Sequence, residues 1–132
     1  MQFFIRSFEV QNQFLTYDEA RRVCESVPVR RLAEPRSQEQ FDAILSFRFQ
    51  SATFYLGATD RANEGDWRWN SDNSPVDLTQ FFNVNEPNGF PNENCLEFRV
   101  TGLNDFVCNN PTNFICETGA IGAVPLCSVL ST

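Results

Sequence analysis

Apolar and polar residues are interspersed along the start of the chain at spacings that predict a strand followed by a helix. Over residues 3–10 apolar side chains stand among polar ones, which is typical of a half-buried strand. Thr16 and Glu19 have the spacing of a capping box, in which a hydroxyl and a carboxylate satisfy backbone donors where a helix begins. We expect this helix to run to about residues 24–26 and to end before Pro28.

A second helix is predicted by a second capping box, Ser37 to Gln40, and by the residues after it. Its apolar positions recur at helical spacing, namely Phe41, Ile44, Leu45 and Phe49. The expected helix spans roughly residues 37–48.

The rest of the chain predicts turns and then strands. Residues 60–94 are rich in Asn and form a long turn-rich segment, a length that is uncommon in a compact domain unless the loops carry function. Polar and apolar residues alternate again over 95–100 and 113–117, as in strands. These elements predict an α+β domain over residues 1–118, followed by a C-terminal tail over 119–132. The length of 132 residues agrees with one domain.

Charge and composition exclude several classes of function. Ten Lys and Arg against seventeen Asp and Glu give a net charge of −7, which argues against a nucleic-acid partner because phosphate backbones are bound by clustered cations. The chain contains no His, so His-dependent triads and His-ligated zinc are excluded.

Neither end of the chain predicts a membrane segment or a secretory signal. The apolar tail is too short and too interrupted by Gly and Pro to span a bilayer. At the other end, Arg6 and Glu9 interrupt the apolar residues before a signal-peptide core can form. If the protein is secreted, we expect this chain to be a mature or recombinant form.

The five cysteines suggest disulfides rather than metal or redox chemistry. They stand at Cys24, Cys95, Cys108, Cys116 and Cys127, with neither a C-x-x-C pair nor a zinc-ribbon spacing. The first four lie in patterned sequence and allow three pairings, between which spacing does not choose. Free buried thiols are the alternative, and Cys127 is left over in the tail.

Carboxylate and amide oxygens crowd into a short part of the chain. Oxygen-rich sites suit hard cations, above all Ca²⁺. The alternative is that these residues simply form turns. The crowded residues are Glu86, Asn88, Glu93, Asn94, Asn104 and Asp105.

Taken in order, these residues resemble a C-type lectin-like domain from about residue 3 to Glu117. The features that match the family's order are residues 15–24, Arg31–Arg36, Tyr55–Ala58, Glu64–Asn70, Glu86–Asn88, Asn104–Asp105 and the first four cysteines. The resemblance implies the short form of the fold, with two helices, antiparallel sheets and a long loop region that binds calcium and sugar. It also implies the disulfides Cys24–Cys116 and Cys95–Cys108, and an extracellular, secreted protein.

The resemblance also implies a calcium-dependent sugar site. Its ligands would be Glu86, Asn88, Glu93, Asn104 and Asp105, with Pro87 similar to the family's cis proline. The ion would leave positions open for two vicinal sugar hydroxyls, which would also exchange hydrogen bonds with the carboxylates and amides. In this family the order Glu-Pro-Asn goes with equatorial 3- and 4-hydroxyls, so the expected ligands are mannose-type glycans on cell surfaces or microbes: mannose, fucose, N-acetylglucosamine and glucose. Phe90 could pack on the sugar or be buried.

A second calcium ion, with Asp60 and Glu64 as ligands, is also expected from the resemblance. Two residues depart from the family there, since Gly89 and Asn94 stand where members with that site often have acids. Another departure is Leu103, which replaces the Trp that normally precedes Asn-Asp.

Other readings concern the tryptophans, catalysis and assembly. Trp67 and Trp69 could stack on sugar, but their place in the resemblance favours core packing.

Glycosidase chemistry by paired carboxylates is disfavoured because the metal would engage the same oxygens, so we expect a binding protein and not an enzyme. An odd Cys127 suggests a disulfide-linked homodimer, with a capped thiol in a disordered tail as the alternative. The competing function keeps the fold but binds protein, ice or mineral rather than sugar.

Overall fold

The first strand leads directly into a capped helix. The computed structural model describes residues 7–45, 53–76, 92–99 and 102–119. Strand β1 (Ser7–Leu15) extends beyond the strand expected over 3–10, and helix α1 (Tyr17–Glu25) follows at once. The Thr16 hydroxyl accepts from the Glu19 backbone N–H, and the Glu19 carboxylate accepts from the Thr16 N–H at 3.0 Å. The predicted capping box is therefore confirmed.

One further helix and six further strands follow in the described part of the chain. The second predicted helix is confirmed over its first two turns, and the predicted strands at 95–100 and 113–117 correspond to observed ones. The strands near residues 31, 56, 68 and 104 were not predicted from the pattern. The elements are β2 (Arg30–Leu32), α2 (Gln38–Leu45), β3 (Phe54–Thr59), β4 (Arg68–Trp69), β5 (Cys95–Arg99), β6 (Gly102–Phe106) and β7 (Thr112–Thr118).

The strands form one mixed sheet in the order β1-β7-β3-β5-β6, with β2 also paired to β7 and β4 to β3. Strand β7 pairs antiparallel with β1 and β2, as expected, but parallel with β3, so the sheet is mixed rather than wholly antiparallel. On the other side, β5 lies antiparallel between β3 and β6. This order brings the end of β3, the start of β5 and the end of β6 to the same edge of the structure.

Alternating side chains of the strands supply two buried apolar clusters. In β7, for example, Phe114 belongs to one cluster and Ile115 to the other, because neighbouring residues of a strand point to opposite faces. Trp67 and Trp69 are 2% and 4% exposed and lie in the larger cluster. The expectation that the two tryptophans pack in the core is confirmed.

Two disulfides link the elements of the smaller cluster. Cys24 of α1 is bonded to Cys116 of β7, and Cys95 of β5 is bonded to Cys108 in the turn after β6. These are the pairings implied by the family resemblance. No helix in the described ranges is long and apolar enough to cross a membrane.

Two fully buried carboxylates join the segment after β2 to its surroundings. Glu117 accepts from Arg31 Nε at 2.7 Å and from the Glu34 backbone N–H at 2.9 Å. Glu34 in turn accepts from Arg36 Nη2 at 2.6 Å and from both the backbone N–H and the hydroxyl of Ser71. Each buried charge thus has charged or backbone donors, as burial requires.

Candidate functional site

The candidate site lies where three neighbouring strands meet. Thr59 at the end of β3 pairs with Cys95 at the start of β5, and Cys95 pairs with Phe106 at the end of β6. Just beyond this row, the Asp60 backbone N–H donates to the Asn94 carbonyl at 3.2 Å. The sheet register therefore brings polar residues from distant parts of the chain to one edge.

Asp60 opens a tight loop that aims its carboxylate inward. The Asn63 N–H donates to the Asp60 carbonyl at 3.1 Å, and the Gly65 N–H donates to Asp60 Oδ2 at 2.8 Å. Gly65 has φ +86°, a conformation that favours glycine and turns this N–H toward the carboxylate. Asp60 is 2% exposed, and among the residues that the structure describes its Oδ1 has no hydrogen-bond partner.

Acidic side chains near Asp60 repel one another. The pKa of Glu64 is raised above its ordinary value by partial desolvation, then by the charge of Asp60 and a hydrogen bond with it, and then by the charge of Asp105. Glu64 itself is exposed. A buried carboxylate oxygen without a donor, among other acids, fits a hard cation such as Ca²⁺.

Asn104 and Asp105 lie side by side on β6 and face opposite sides of the sheet. Asn104 pairs with Glu97 across β5, and Asp105 pairs with Leu96. Both are buried, with exposures of 6% and 1%. Asn104 Nδ2 donates to Glu97 Oε1 at 2.8 Å, so its amide has a defined orientation.

The predicted ligands are only partly within the described residues. Of the five predicted for the sugar-binding ion, Glu93, Asn104 and Asp105 are described, and Glu93 is half-buried just before β5. Glu86 and Asn88 lie outside the described residues, together with Pro87, Gly89, Phe90 and Cys127. Within the described ranges, no group of three or more Asp, Glu, Cys or His side chains is arranged to hold a metal ion.

Two further residues of β5 and β6 lie close to the predicted ligands, namely Leu103 and Glu97. Leu103, the departure from the family's Trp, is fully buried in the larger apolar cluster, so it packs without a polar role. Glu97 was not identified from the sequence as a site residue. Its signal was an acid between two apolar residues of a predicted strand, Leu96 and Phe98.

Comparisons with known proteins agree with this architecture. The family model described as the lectin C-type domain matches residues 13–118. A human relative, C-type lectin domain family 17 member A, is 36% identical over 103 residues, which cover 77% of this chain and 26% of the relative. The chain thus spans about a quarter of the length of that relative.

Two solved structures have the same fold. The carbohydrate-recognition domain of the mouse scavenger receptor C-type lectin has a TM-score of 0.77 and 26% identity, over 87% of this chain and 91% of that one. A calcium-independent type II antifreeze protein has a TM-score of 0.75 and 24% identity, over 88% of each chain, and shows the fold alone. From the match over residues 13–118 and the shared architecture, the chain belongs to the C-type lectin domain family.

Proposed function

We propose that this domain is a calcium-dependent lectin for mannose-type sugars, with mannose, fucose, N-acetylglucosamine and glucose as its ligand class. The proposed ion ligands are Glu86, Asn88, Glu93, Asn104 and Asp105. The observation that carries the proposal is the fixed orientation of the Asn104 amide, which donates a hydrogen bond to Glu97. Asn104 lies next to buried Asp105, at the edge of the sheet where Glu93 precedes β5. Family membership supports it.

The chemistry follows from the donor set. A bound Ca²⁺ supplies open coordination positions for two vicinal sugar hydroxyls. The carboxylates of Glu86 and Glu93 would accept hydrogen bonds from the sugar hydroxyls, while the amides of Asn88 and Asn104 would donate to the hydroxyl oxygens. The order Glu-Pro-Asn, by its resemblance to mannose-type family members, favours equatorial 3- and 4-hydroxyls. Phe90 would present a ring to the apolar face of the sugar.

A second ion beside Asp60 and Glu64 belongs to the same proposal. The buried Asp60 Oδ1 and the raised pKa of Glu64, which partial desolvation and the charge of Asp60 cause, support a cation there. Asp60 also anchors the loop through Gly65 and contacts the Asn94 backbone. A cation bound at this second site would stiffen the edge of the sheet that carries Glu93.

The test is a glycan array in Ca²⁺ and in EDTA, with a disabled variant and a matched control. Asp105→Asn changes the buried proposed ligand, whereas Glu25→Gln makes the equivalent change at an exposed helix residue. We expect signals on mannose- or fucose-bearing glycans that EDTA abolishes, that Asp105→Asn loses and that Glu25→Gln retains. A folded, calcium-bound wild type that is silent on every glycan contradicts the proposal and favours protein, ice or mineral as the ligand.

The specificity part of the proposal has its own test. Glu86→Gln combined with Asn88→Asp should shift binding from mannose toward galactose, because the donor and acceptor positions are exchanged. Competition by the two free monosaccharides measures the shift. An unchanged preference in the folded double variant contradicts the roles assigned to Glu86 and Asn88.

The proposed setting is extracellular. Two disulfides persist in oxidising compartments, which supports secretion. The proposal contains no catalysis, because the acidic side chains would coordinate the ion.

A Cys127 bridge between two copies would present two sugar sites and raise avidity. A monomer on a non-reducing denaturing gel would rule out that bridge.

A further inference from the structure

Glu97 is a buried acid in the middle of an otherwise apolar strand. It is 0% exposed, and its neighbours in β5, Leu96 and Phe98, are buried as well. Across the sheet it stands directly opposite Tyr55 of β3 and Asn104 of β6. A carboxylate in such a position loses its hydration, which costs free energy. A buried acid is therefore expected to have hydrogen-bond donors or a functional role.

The donors of Glu97 converge on a single oxygen. Oε1 accepts from Asn104 Nδ2 at 2.8 Å and from Arg99 Nε at 2.9 Å. Within the part of the chain that the structure describes, Oε2 has no hydrogen-bond partner. In Glu34 and Glu117, by contrast, both carboxylate oxygens accept hydrogen bonds.

What the contact does is to orient Asn104. An amide presents donors at one end and an acceptor at the other, and a carboxylate can only accept. If the Asn104 amide were flipped, its Oδ1 would face Glu97 Oε1 and repel it. The carboxylate thereby sets which end of the amide points toward β5, and Oδ1 points away from it.

We propose that Glu97 is a positioning residue for the sugar site, an inference that rests on the proposed function. By holding Asn104 Nδ2, it keeps Asn104 Oδ1 available to the calcium ion and leaves the second N–H for a sugar hydroxyl. Arg99, whose side chain is 44% exposed, donates from Nε to the same Oε1 at 2.9 Å and places a positive charge beside the carboxylate.

The test is a double-substitution cycle read by calcium titration calorimetry. Glu97→Gln lets the amide flip, and Asn104→Asp places two acids face to face, so each should weaken calcium binding by about 10-fold or more, as for other residues that orient metal ligands. Together the substitutions restore a donor–acceptor pair with an oxygen free for the ion. We expect the double variant to bind within about 3-fold of wild type, whereas independent effects would multiply to about 100-fold.

The control is Glu117→Gln, which neutralises another fully buried acid of the same sheet, on β7 opposite Phe8 and Arg31 rather than on the strands that carry the proposed ligands. It should lower stability and leave calcium affinity unchanged. If Glu97→Gln and Glu117→Gln bind calcium equally well, or if the double variant shows multiplied losses, the inference about Glu97 is overturned and the lectin proposal stands. A wild type that binds no calcium overturns both.

A measurement on the wild type guards against variants that fail to fold. The side-chain N–H that Asn104 gives to Glu97 should exchange slowly with deuterium, because it is bonded to a buried charge. Exchange as fast as that of exposed Asn109 side-chain protons would overturn the inference without any substitution.

Discussion

A single methyl group at Gly57 should damage this fold, because β3 passes very close to the segment after β2. In Gly57→Ala the new Cβ would lie 2.9 Å from the Leu32 carbonyl oxygen, 3.1 Å from Glu34 Cγ and 3.3 Å from Leu32 Cβ. The two carbon–carbon distances are shorter than the ~3.5–4.0 Å of optimal contact between non-bonded carbon atoms, and the contact with the carbonyl oxygen is shorter still. The nearest atom belongs to the backbone, so a rotamer change cannot relieve the clash.

The backbone around this contact is held by hydrogen bonds. Ala33 N–H donates to Ile115 O at 2.9 Å, Gly57 N–H donates to Ala33 O at 2.8 Å, and Glu34 N–H donates to Glu117 at 2.9 Å. Any shift that makes room for a methyl group must lengthen at least one of these bonds. The cost therefore includes weakened hydrogen bonding as well as steric strain.

These effects set the expected magnitude. Overpacking a dense interior costs about 1–3 kcal/mol, and weakening one buried hydrogen bond costs about 1 kcal/mol more. The free energy of unfolding of Gly57→Ala should therefore fall by about 2–4 kcal/mol. At about 4 °C per kcal/mol for a domain of this size, the melting temperature should fall by roughly 8–16 °C.

The assay is chemical and thermal denaturation with the disulfides intact, and Gly65→Ala is the matched control. Gly65 has φ +86° and a Cβ there would meet nothing within 4 Å, so its substitution adds backbone strain of about 1–2 kcal/mol without a clash. A Gly57→Ala protein within ~0.5 kcal/mol of wild type, or more stable than Gly65→Ala, would refute the reasoning, since overpacking has a known cost.

Two further predictions concern an ion pair and a disulfide. Hydrogen bonds from Arg36, then from Ser74, hold the pKa of Asp72 well below its ordinary 3.8, so Asp72→Asn should be less stable than wild type at pH 7, and the difference should shrink as the pH falls below about 4. Free energies of unfolding at pH 7, 4 and 2 measure this, and a difference that stays constant would contradict it. Replacing Cys95 and Cys108 by Ala opens a loop with a sequence separation of 13 and should cost about 3 kcal/mol; a loss below ~1 kcal/mol in urea denaturation would contradict the loop-entropy account.

Local patterns were enough to predict the helices. The capping boxes that begin at Thr16 and Ser37 predicted where α1 and α2 begin. The Ser37 hydroxyl accepts a hydrogen bond from the Gln40 N–H at 3.2 Å. Capping joins residues three positions apart, so a short window of sequence contains the whole interaction. The disulfide pairing needed the family resemblance as well, because spacing alone allowed three arrangements.

The sequence by itself thus determined the helices, the class of the domain and, through its motifs, the family. Only the tertiary structure decided that β2 and β6 exist, that β3 runs parallel to β7, and that Glu97 contacts Asn104. Strands as short as β2 carry too few residues for a periodic signal. Their pairing depends on partners far away, as with Arg31 and Glu117 at a separation of 86 residues. No local window contains both halves of such a contact, so the register that aligns the edge of the site arises only when the whole chain packs.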